Sequence, residues 1–350
     1  HLLRSAVGPD GLERSFAYRS DGSRVEESIA GVSTQRYSYD ERGLTVAVEQ
    51  VETGAIVRYE YDAAGRITAV TDPVGNEVRR EYTARGRLSR LIYADGSSVF
   101  YTYDAGGRVV TVTDEEGGVR RFGYDAAGRV TAVTDPLGNT HRFSYDAAGN
   151  LVDETDARGL RTRYAYDARG RLVRVVDPGG AATDYGYDQV GNLISVEEPE
   201  GGVHYYEYDE FERVLRAVDP TGVETLSSYD TRGNLISQTT GGGTWEIAYD
   251  EASRPVLRTD PYGNTTLYSY NATGLPTTIV DSTGAETSFA YDRAGRLVEE
   301  TGPTDITTSY EHDVRGRVVA ATNGAGETTR FGYDRVGRTT SLTDPNGGEY

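Results

Sequence analysis

The residues of this sequence that could do acid–base or metal chemistry are its histidines and its carboxylates. The four histidines are His1, His141, His204 and His312, and no two of them lie close together in the sequence. No HExxH motif or Cys/His pattern with the spacing of a zinc site occurs, and neither does a GxSxG motif or a phosphate-binding loop. We therefore predict no catalytic residue, no metal ligand and no cofactor, and we expect that the chain is not an enzyme.

The carboxylates give the chain a strongly acidic balance. Asp and Glu number 55 against 36 basic residues, for a formal net charge of −19. Such a charge disfavours nucleic-acid backbones and anionic membranes as partners. Calcium binding is one interpretation of the acidity. However, the acidic residues are spread one or two per turn, whereas calcium takes about six to eight oxygen ligands. We expect calcium to matter little.

Three residue types are missing from the composition. Without cysteine, disulfides and thiolate-bound metals are excluded. Lysine is also absent, so every basic residue is arginine, and methionine is absent as well. A chain without methionine does not begin at a start codon, so we expect a fragment of a longer protein. It contains no signal peptide and no apolar run long enough to span a membrane, and we expect no membrane insertion by this segment.

The sequence consists largely of copies of a repeat of about 21 residues. A tyrosine recurs at a spacing of 21, apart from one spacing of 22 and one of 20, and we call its position the slot. The slots are residues 18, 39, 61, 82, 103, 124, 145, 166, 187, 208, 229, 249, 270, 291, 312 and 333. Fifteen slots hold Tyr, and His312 fills the other. Asp follows the slot in thirteen copies, and Gly stands four residues after it in fourteen.

Each repeat has the pattern of a β-hairpin. After the "YDxxG" turn comes a β-branched run such as "VTAVT", then a second turn such as "DPLGN" at 135–139. A second strand follows, and its last three residues are an aromatic residue, a variable residue and Tyr. Val, Ile, Thr and Tyr favour strands, while Asp, Pro and Gly favour tight turns. The 22 aspartates at the two turn positions suffice to explain the acidity. We predict an all-β fold, a continuous antiparallel meander of about sixteen hairpins, over 1–350 as a single array without an internal boundary.

A second aromatic residue precedes the slot by two positions in thirteen copies, as in Phe122, Phe143 and Tyr164. Residues i and i+2 of a strand share a face, so the rings form rows across the sheet. These rows are either a binding stripe for sugars or peptides, or a ladder that packs the sheet. We favour the ladder. It should pack against the Val or Leu that follows the "GR" of the first turn, such as Val130 or Leu172, and leave Arg142, Ser144, Arg163 and Ala165 on the other face.

Segments such as "YDAAGRVTAVTDPLGNT" and "YDARGRLVRVVDPGG" resemble the YD repeats of the Rhs family, whose relatives include the C component of Tc toxins and the teneurin shell. The resemblance covers residues from about 16 to 350. It implies a curved or spiralling ribbon that forms part of a hollow shell. It also implies a secreted or cell-surface bacterial protein, whose shell encloses a C-terminal toxin until delivery. The partners would be the rest of the same polypeptide, namely shell caps and the enclosed toxin, and a delivery apparatus. The alternative function is a cell-surface module that binds glycans or a partner protein.

Strand geometry is consistent with that resemblance. Thirty-two strands about 4.8 Å apart make a ribbon roughly 150 Å long, whereas a barrel filled by side chains needs only about eight strands. The ribbon must therefore lie open, wrap around something or enclose a cavity. The irregular region 229–255, with a "GGG" run at 241–243, Pro255 and Trp245, should produce a local bend and not an active site.

Overall fold

The computed structural model describes residues 3–7, 12–29 and 33–350. Every regular element in these ranges is a β-strand, and the 33 strands form one open sheet. This confirms the predicted all-β fold, with one more strand than sixteen hairpins supply, because a short strand precedes the first repeat. His1 lies outside the described residues. None of the described residues forms a helix with the length and apolarity needed to cross a membrane.

The strands are mostly five to seven residues long, and they are numbered in chain order. The first nine are β1 Ser5–Val7, β2 Glu13–Tyr18, β3 Arg24–Ile29, β4 Ser33–Tyr39, β5 Thr45–Gln50, β6 Ala55–Tyr61, β7 Ile67–Thr71, β8 Glu77–Tyr82 and β9 Leu88–Ile92. The next eight are β10 Ser98–Tyr103, β11 Val109–Thr113, β12 Val119–Tyr124, β13 Val130–Thr134, β14 Thr140–Tyr145, β15 Leu151–Thr155, β16 Arg161–Tyr166 and β17 Leu172–Val176.

The remaining strands have similar lengths. They are β18 Ala182–Tyr187, β19 Leu193–Glu197, β20 Val203–Tyr208, β21 Val214–Val218, β22 Glu224–Tyr229, β23 Leu235–Thr240, β24 Gly243–Tyr249 and β25 Pro255–Thr259. The last eight are β26 Thr265–Tyr270, β27 Pro276–Val280, β28 Glu286–Tyr291, β29 Leu297–Thr301, β30 Thr307–His312, β31 Val318–Thr322, β32 Thr328–Tyr333 and β33 Thr339–Thr343.

Contacts divide the chain into two compact units. Unit 1 comprises His1–Val99, Thr231–Asn234 and Ile247–Tyr350, and unit 2 comprises Phe100–Asp230 and Leu235–Glu246. Within each unit, successive strands pair in antiparallel fashion, as β13 does with β14 in unit 2 and β31 with β32 in unit 1. The expectation of a single array over 1–350 stays a prediction.

The second turn of a repeat is a compact Asp-to-Gly loop. In the hairpin β13–β14, the amide N–H of Asp135 donates to the carbonyl of Asn139, and that of Gly138 donates to the carbonyl of Asp135. Gly138 has φ of 89°, in the left-handed region where a side chain is disfavoured. The Asp135 carboxylate also accepts from the amides of Leu137 and Asn139, at 2.9 and 2.8 Å. The acidic residue thus satisfies the turn's own backbone.

Fifteen of the sixteen slots lie at a β-bulge. Between β14 and β15, for instance, Ser144 pairs with Asp153 while the next residue, Tyr145, pairs with Leu151, so that one residue of β15 is extra. The same register shift occurs at the slot of β12, β16, β18 and β20. A bulge increases the local twist of a pair of strands. The repeated bulge therefore adds twist once per repeat.

The sheet has very little buried core. Among the described residues only Leu12, Ala69, Val99, Ala320 and Ser98 are fully buried, and no large side chain is completely enclosed. Ala69 and Ala320 have small side chains, so their burial contributes little apolar area. Stability must therefore come from contacts along the sheet and at its edges.

The irregular region differs from its neighbours in its turn. Gly241 and Gly242 have φ of 58° and 87° and link β23 to β24 in a two-residue hairpin turn, the type that needs positive φ at both positions. Pro255 is the first residue of β25, where a strand tolerates a missing amide N–H. The predicted bend of the ribbon at this region stays a prediction.

Candidate functional site

The three histidines that the structure describes do not form a site. His141 is exposed on β14, His312 is half-buried at the end of β30, and the Nε2 atom of His204 on β20 lies 2.9 Å from the Oε1 atom of Glu198 in the preceding turn. Within the described ranges, no three His, Asp or Glu side chains are grouped so that they could hold a metal ion. The arrangement that recurs instead is a set of contacts between one repeat and the next.

The first turn combines an aspartate with an arginine four residues later. In unit 2, the carboxylate of Asp125 accepts from the backbone N–H of Arg129 at 2.9 Å and from its Nε at 2.7 Å. The hydrogen bond from that backbone N–H is the main reason that the pKa of Asp125 lies below its usual value. Burial opposes the lowering, while the Arg129 side chain and the N–H of Ala127 add to it. The Asp125 carboxylate is therefore ionised and already bonded inside its own turn, which leaves little of it free for a metal ion.

The same arginine reaches the next repeat. The Nη1 atom of Arg129 donates to the carbonyl of Asp146 at 3.0 Å, and its Cζ lies 4.8 Å from the centroid of the Tyr145 ring. The Tyr145 hydroxyl in turn donates to the carbonyl of Val130 at 2.8 Å. We call this set of three contacts the repeat clamp. It joins the first turns of adjacent repeats through a charged hydrogen bond, a cation–π contact and a hydroxyl hydrogen bond.

The repeat clamp recurs along the chain. The arginine-over-tyrosine contact is made by the pairs Arg66–Tyr82, Arg108–Tyr124, Arg129–Tyr145, Arg171–Tyr187, Arg213–Tyr229, Arg254–Tyr270 and Arg317–Tyr333. Even where proline follows the first turn, the Tyr270 hydroxyl still donates to the carbonyl of Pro255 at 2.7 Å. A Cβ on the turn glycine Gly86 would lie 2.9 Å from the Nη1 atom of Arg66, so a larger residue there would displace this arginine side chain.

The aromatic rows are half-buried. Phe143, Tyr145, Tyr164 and Tyr166 are each partly covered, while the alternate residues Arg142, Ser144, Arg163 and Ala165 are exposed. The hydroxyls of Tyr145 and Tyr187 donate to the backbone carbonyls of Val130 and Leu172, whereas the packing of the rings against those two side chains stays a prediction. These rings pack the sheet and do not present a fully exposed binding stripe.

Unit 1 contains a contact between distant turns, which we call the seam. It is formed by the second turn at 93–97 and the first turns at 313–317 and 334–338. The Arg315 guanidinium lies over the Tyr93 ring at 4.1 Å, and its Nε is 3.7 Å from the Oδ2 atom of Asp95. The Nη1 atom of Arg315 donates to the carbonyl of Arg335. The Arg315 side chain is only 14% exposed, so its charge is held in a partly desolvated position.

The seam also affects the ionisation of Asp95. Burial opposes the charged form, but the hydroxyl and the backbone N–H of Ser97 donate to this carboxylate, and the Arg315 and Arg317 charges lie nearby. Together they outweigh burial and hold the pKa of Asp95 below its usual value. Clefts of ≈ 380 and ≈ 660 Å³ lie beside these residues, one at Asp95 and Arg317 and the other at Tyr93 and Arg315.

Sequence reasoning identified the turn aspartates and the ring rows, but it missed the clamp and the seam. The signal for the clamp was present, since Arg stands five residues after the slot in ten copies, yet nothing in the spacing indicates that its side chain reaches the next repeat. The seam had only a faint signal. Tyr93 replaces the usual aspartate of the second turn, but Arg is as frequent as Ala at the position of Arg315.

The fold is similar to that of solved Tc toxin structures. The chain matches a crystal structure of TcdB2-TccC3 with a TM-score of 0.67 at 15% identity, covering 98% of this chain and 22% of that one. It matches TcdB2-TccC3-TEV with a TM-score of 0.66 at 17% identity, covering 95% and 22%. A Tc holotoxin pore from Photorhabdus luminescens with a TccC3 mutation gives a TM-score of 0.62 at 17% identity, covering 95% and 21%. The chain thus spans about a fifth of the length of these chains.

Sequence comparison gives the family. No curated protein matches the chain, but the model of the RHS repeat matches it ten times. The matched residues are 39–77, 61–98, 103–140, 145–182, 187–225, 229–265, 249–286, 270–307, 291–328 and 312–349. These ranges overlap or follow one another closely and cover most of the sequence, with the slot tyrosines and the two turns in each of them. The chain therefore belongs to the RHS repeat family.

Proposed function

We propose that this chain is a segment of a bacterial shell that encloses a C-terminal effector until delivery. The observation that carries the proposal is the repeat clamp. Because adjacent repeats are joined at their first turns by contacts such as those of Arg129 and Tyr145, the sheet keeps its order with almost no buried core. A sheet that does not need a core to pack against is suited to enclose something else. The likeness to structures containing TccC3 supports this choice.

The proposal extends to the partners and the location. The partners would be the remainder of the same polypeptide, which supplies the shell caps and the effector, and an apparatus that delivers the particle. The complete protein would be secreted or carried at the cell surface. This segment itself would have no catalytic role, because its turn aspartates are bonded to their own backbone and its histidines lie apart. The half-buried ring rows make the alternative, a surface module that binds glycans through its aromatic residues, less suited to the geometry.

The test uses the complete natural polypeptide and limited proteolysis. The effector region should be cut far more slowly within the complete polypeptide than when it is expressed alone. Heating should abolish this protection at the temperature where the sheet unfolds, as followed by circular dichroism. A variant with the clamp weakened at two repeats, Tyr145→Phe with Tyr187→Phe, should lose protection at a lower temperature. Equal rates of cleavage in the complete polypeptide and the isolated effector would contradict enclosure.

A further inference from the structure

Arg80 is the one charged residue at the ring position that precedes a slot by two. Thirteen of the sixteen repeats have an aromatic residue there, and the other two exceptions are Ser227 and Ile247. Arg80 lies on β8 opposite Leu91 of β9, while its neighbour Arg79 points to the other face and pairs with Glu77. The ring face of the sheet therefore contains a guanidinium at this point, among apolar and aromatic side chains.

The Arg80 guanidinium is incompletely paired. Its Nη1 atom is buried from solvent, and among the described residues it has no hydrogen-bond partner. Burying a charged donor without an acceptor is costly, so this position favours any ligand that supplies an acceptor. Because the group is cationic, an anionic oxygen is a stronger partner for it than a neutral one.

Arg80 lines a cleft of ≈ 660 Å³ in unit 1, next to the seam. Its walls come from the second turns of the N-terminal repeats, including Asp72 and Tyr93, and from the first turns that carry Arg296 and Arg315. Three guanidinium groups thus surround one cleft in a chain whose net charge is −19. The volume lies in the range of small-molecule sites, roughly 300–1,000 Å³, and far exceeds that of a water molecule.

The other charged groups of the cleft are already engaged. The Asp72 carboxylate accepts from the amides of Val74 and Asn76 and from the Asn76 side chain, and it forms no ion pair with Arg80. The Nε atom of Arg296 donates to Asp292 at 2.6 Å. Arg315 is held over Tyr93. Arg296 and Arg315 are therefore balanced by the carboxylates of Asp292 and Asp95, and Arg80 supplies the guanidinium that is still incompletely paired.

We propose that this cleft binds a small oxyanion, a phosphate or a carboxylate, with the guanidinium of Arg80, which lines the cleft, as the direct donor. The planar guanidinium matches the paired oxygens of both groups. The site lies within unit 1 and does not depend on the proposed enclosure of an effector. An occupied cleft would join residues 70–94 to residues 294–316, so binding would also stabilise the seam.

The experiment measures the melting temperature of the chain against inorganic phosphate, with sodium chloride adjusted to keep the ionic strength constant. A parallel series uses succinate, which distinguishes a carboxylate from a phosphate as the preferred ligand. The wild-type chain should show a saturable rise in melting temperature with at least one of the two anions. Arg80→Tyr, which installs a residue common at this position in other repeats, should lower the apparent affinity at least tenfold.

Two further variants complete the design. Arg79→Gln removes the adjacent arginine on the opposite face and should leave the anion response unchanged. Arg80→Met keeps the apolar stem and removes the guanidinium, so it repeats the test if the tyrosine does not fit. In chloride alone, both Arg80 variants should melt at or above the wild-type temperature, because a buried unpaired charge has been removed. A response to neither anion by the wild type, or an equal response by the Arg80 variants, would overturn the proposal.

Discussion

The guanidinium of Arg315 lies 4.1 Å from the centroid of the Tyr93 ring, although the two residues belong to repeats that begin at His312 and Tyr82. The contact joins a second turn to a first turn inside unit 1, and its arginine is largely covered. A cation–π pair in a desolvated position is worth about 2 kcal/mol. This pair therefore stabilises the contact between two turns that are far apart in the chain.

Arg315→Ala should lower the local opening free energy of the turn at 93–97 by about 2 kcal/mol, because both the ring contact and the attraction to Asp95 are lost. Hydrogen exchange of the amides of that turn provides the measurement. Arg85→Ala is the matched control, since Arg85 occupies the same place in its repeat and is exposed. Equal protection in Arg315→Ala and wild type would mean that the seam contact contributes nothing.

Tyr145→Phe should destabilise its repeat by about 0.5–1.5 kcal/mol, the usual contribution of one hydrogen bond. The change removes only the hydroxyl that donates to the carbonyl of Val130 and leaves the ring under Arg129. Thermal melting and hydrogen exchange would both report it. Tyr205→Phe is the control, because Tyr205 is 54% exposed and its change should have little effect. The interpretation fails if the two variants behave alike.

His312→Tyr should stabilise unit 1 by about 0.5–1.5 kcal/mol, since it restores the slot tyrosine and its hydroxyl. By analogy with the other repeats, the new hydroxyl should donate to the carbonyl of Leu297. His312→Phe separates the two contributions, because it supplies a ring without the hydroxyl. Thermal melting of the three proteins is the measurement. A phenylalanine variant as stable as the tyrosine variant would assign the gain to the ring alone.

Replacing Glu212 or Ser253 by glycine should stabilise the chain by roughly 0.5–1 kcal/mol each. These residues occupy the turn position where other repeats have glycine, and they keep the same left-handed backbone, with φ of 62° and 59°. A side chain in that region is strained, and glycine relieves the strain. The reverse change, Gly128→Ala at φ of 84°, should destabilise. Melting temperatures that move in the same direction for both kinds of variant would contradict this account.

The chain should lose stability in acid. Hydrogen bonds from the following backbone and arginine hold the pKa of Asp62 and of Asp125 below the usual 3.8. A folded-state pKa below the unfolded value gives stability that is fully present above the unfolded value and is lost as the pH falls through the folded value. The melting temperature should therefore be steady above about pH 5 and fall steeply below about pH 4.

Titration of the Asp125 carboxyl carbon by NMR tests the same effect at one residue. Its midpoint should lie below 3.8, the usual value. Arg129→Leu removes the arginine side chain from the turn and should move the midpoint upwards, although the backbone N–H of residue 129 still donates. The first turn at Asn271 and Leu275 shows that the backbone contact forms without the arginine. A midpoint at or above 3.8 in the wild type would show that the turn does not favour the carboxylate.

The sequence by itself determined the period, the two strands per repeat and the positions of the turns. These features depend on contacts between residues a few positions apart, such as the bonds of Asp135 to the amides of Leu137 and Asn139 and the positive φ of Gly138. These short-range contacts are the same in every copy, so the repeated residues that form them can be recognised in the sequence. The shared face of Phe143 and Tyr145 was predictable for the same reason, because alternation along a strand is fixed by its geometry.

Only the tertiary structure decided which residues of different repeats meet. Arg129 donates to the carbonyl of Asp146 in the next repeat. Arg315 contacts Tyr93, and the cleft around Arg80 is lined by residues that are many repeats apart. The formation of these contacts depends on the bulges at the slots and on the twist that accumulates from strand to strand. A short window of sequence does not indicate how much twist has accumulated over many strands. Edge contacts such as the seam, and any site beside them, therefore emerge only when the strands are in place.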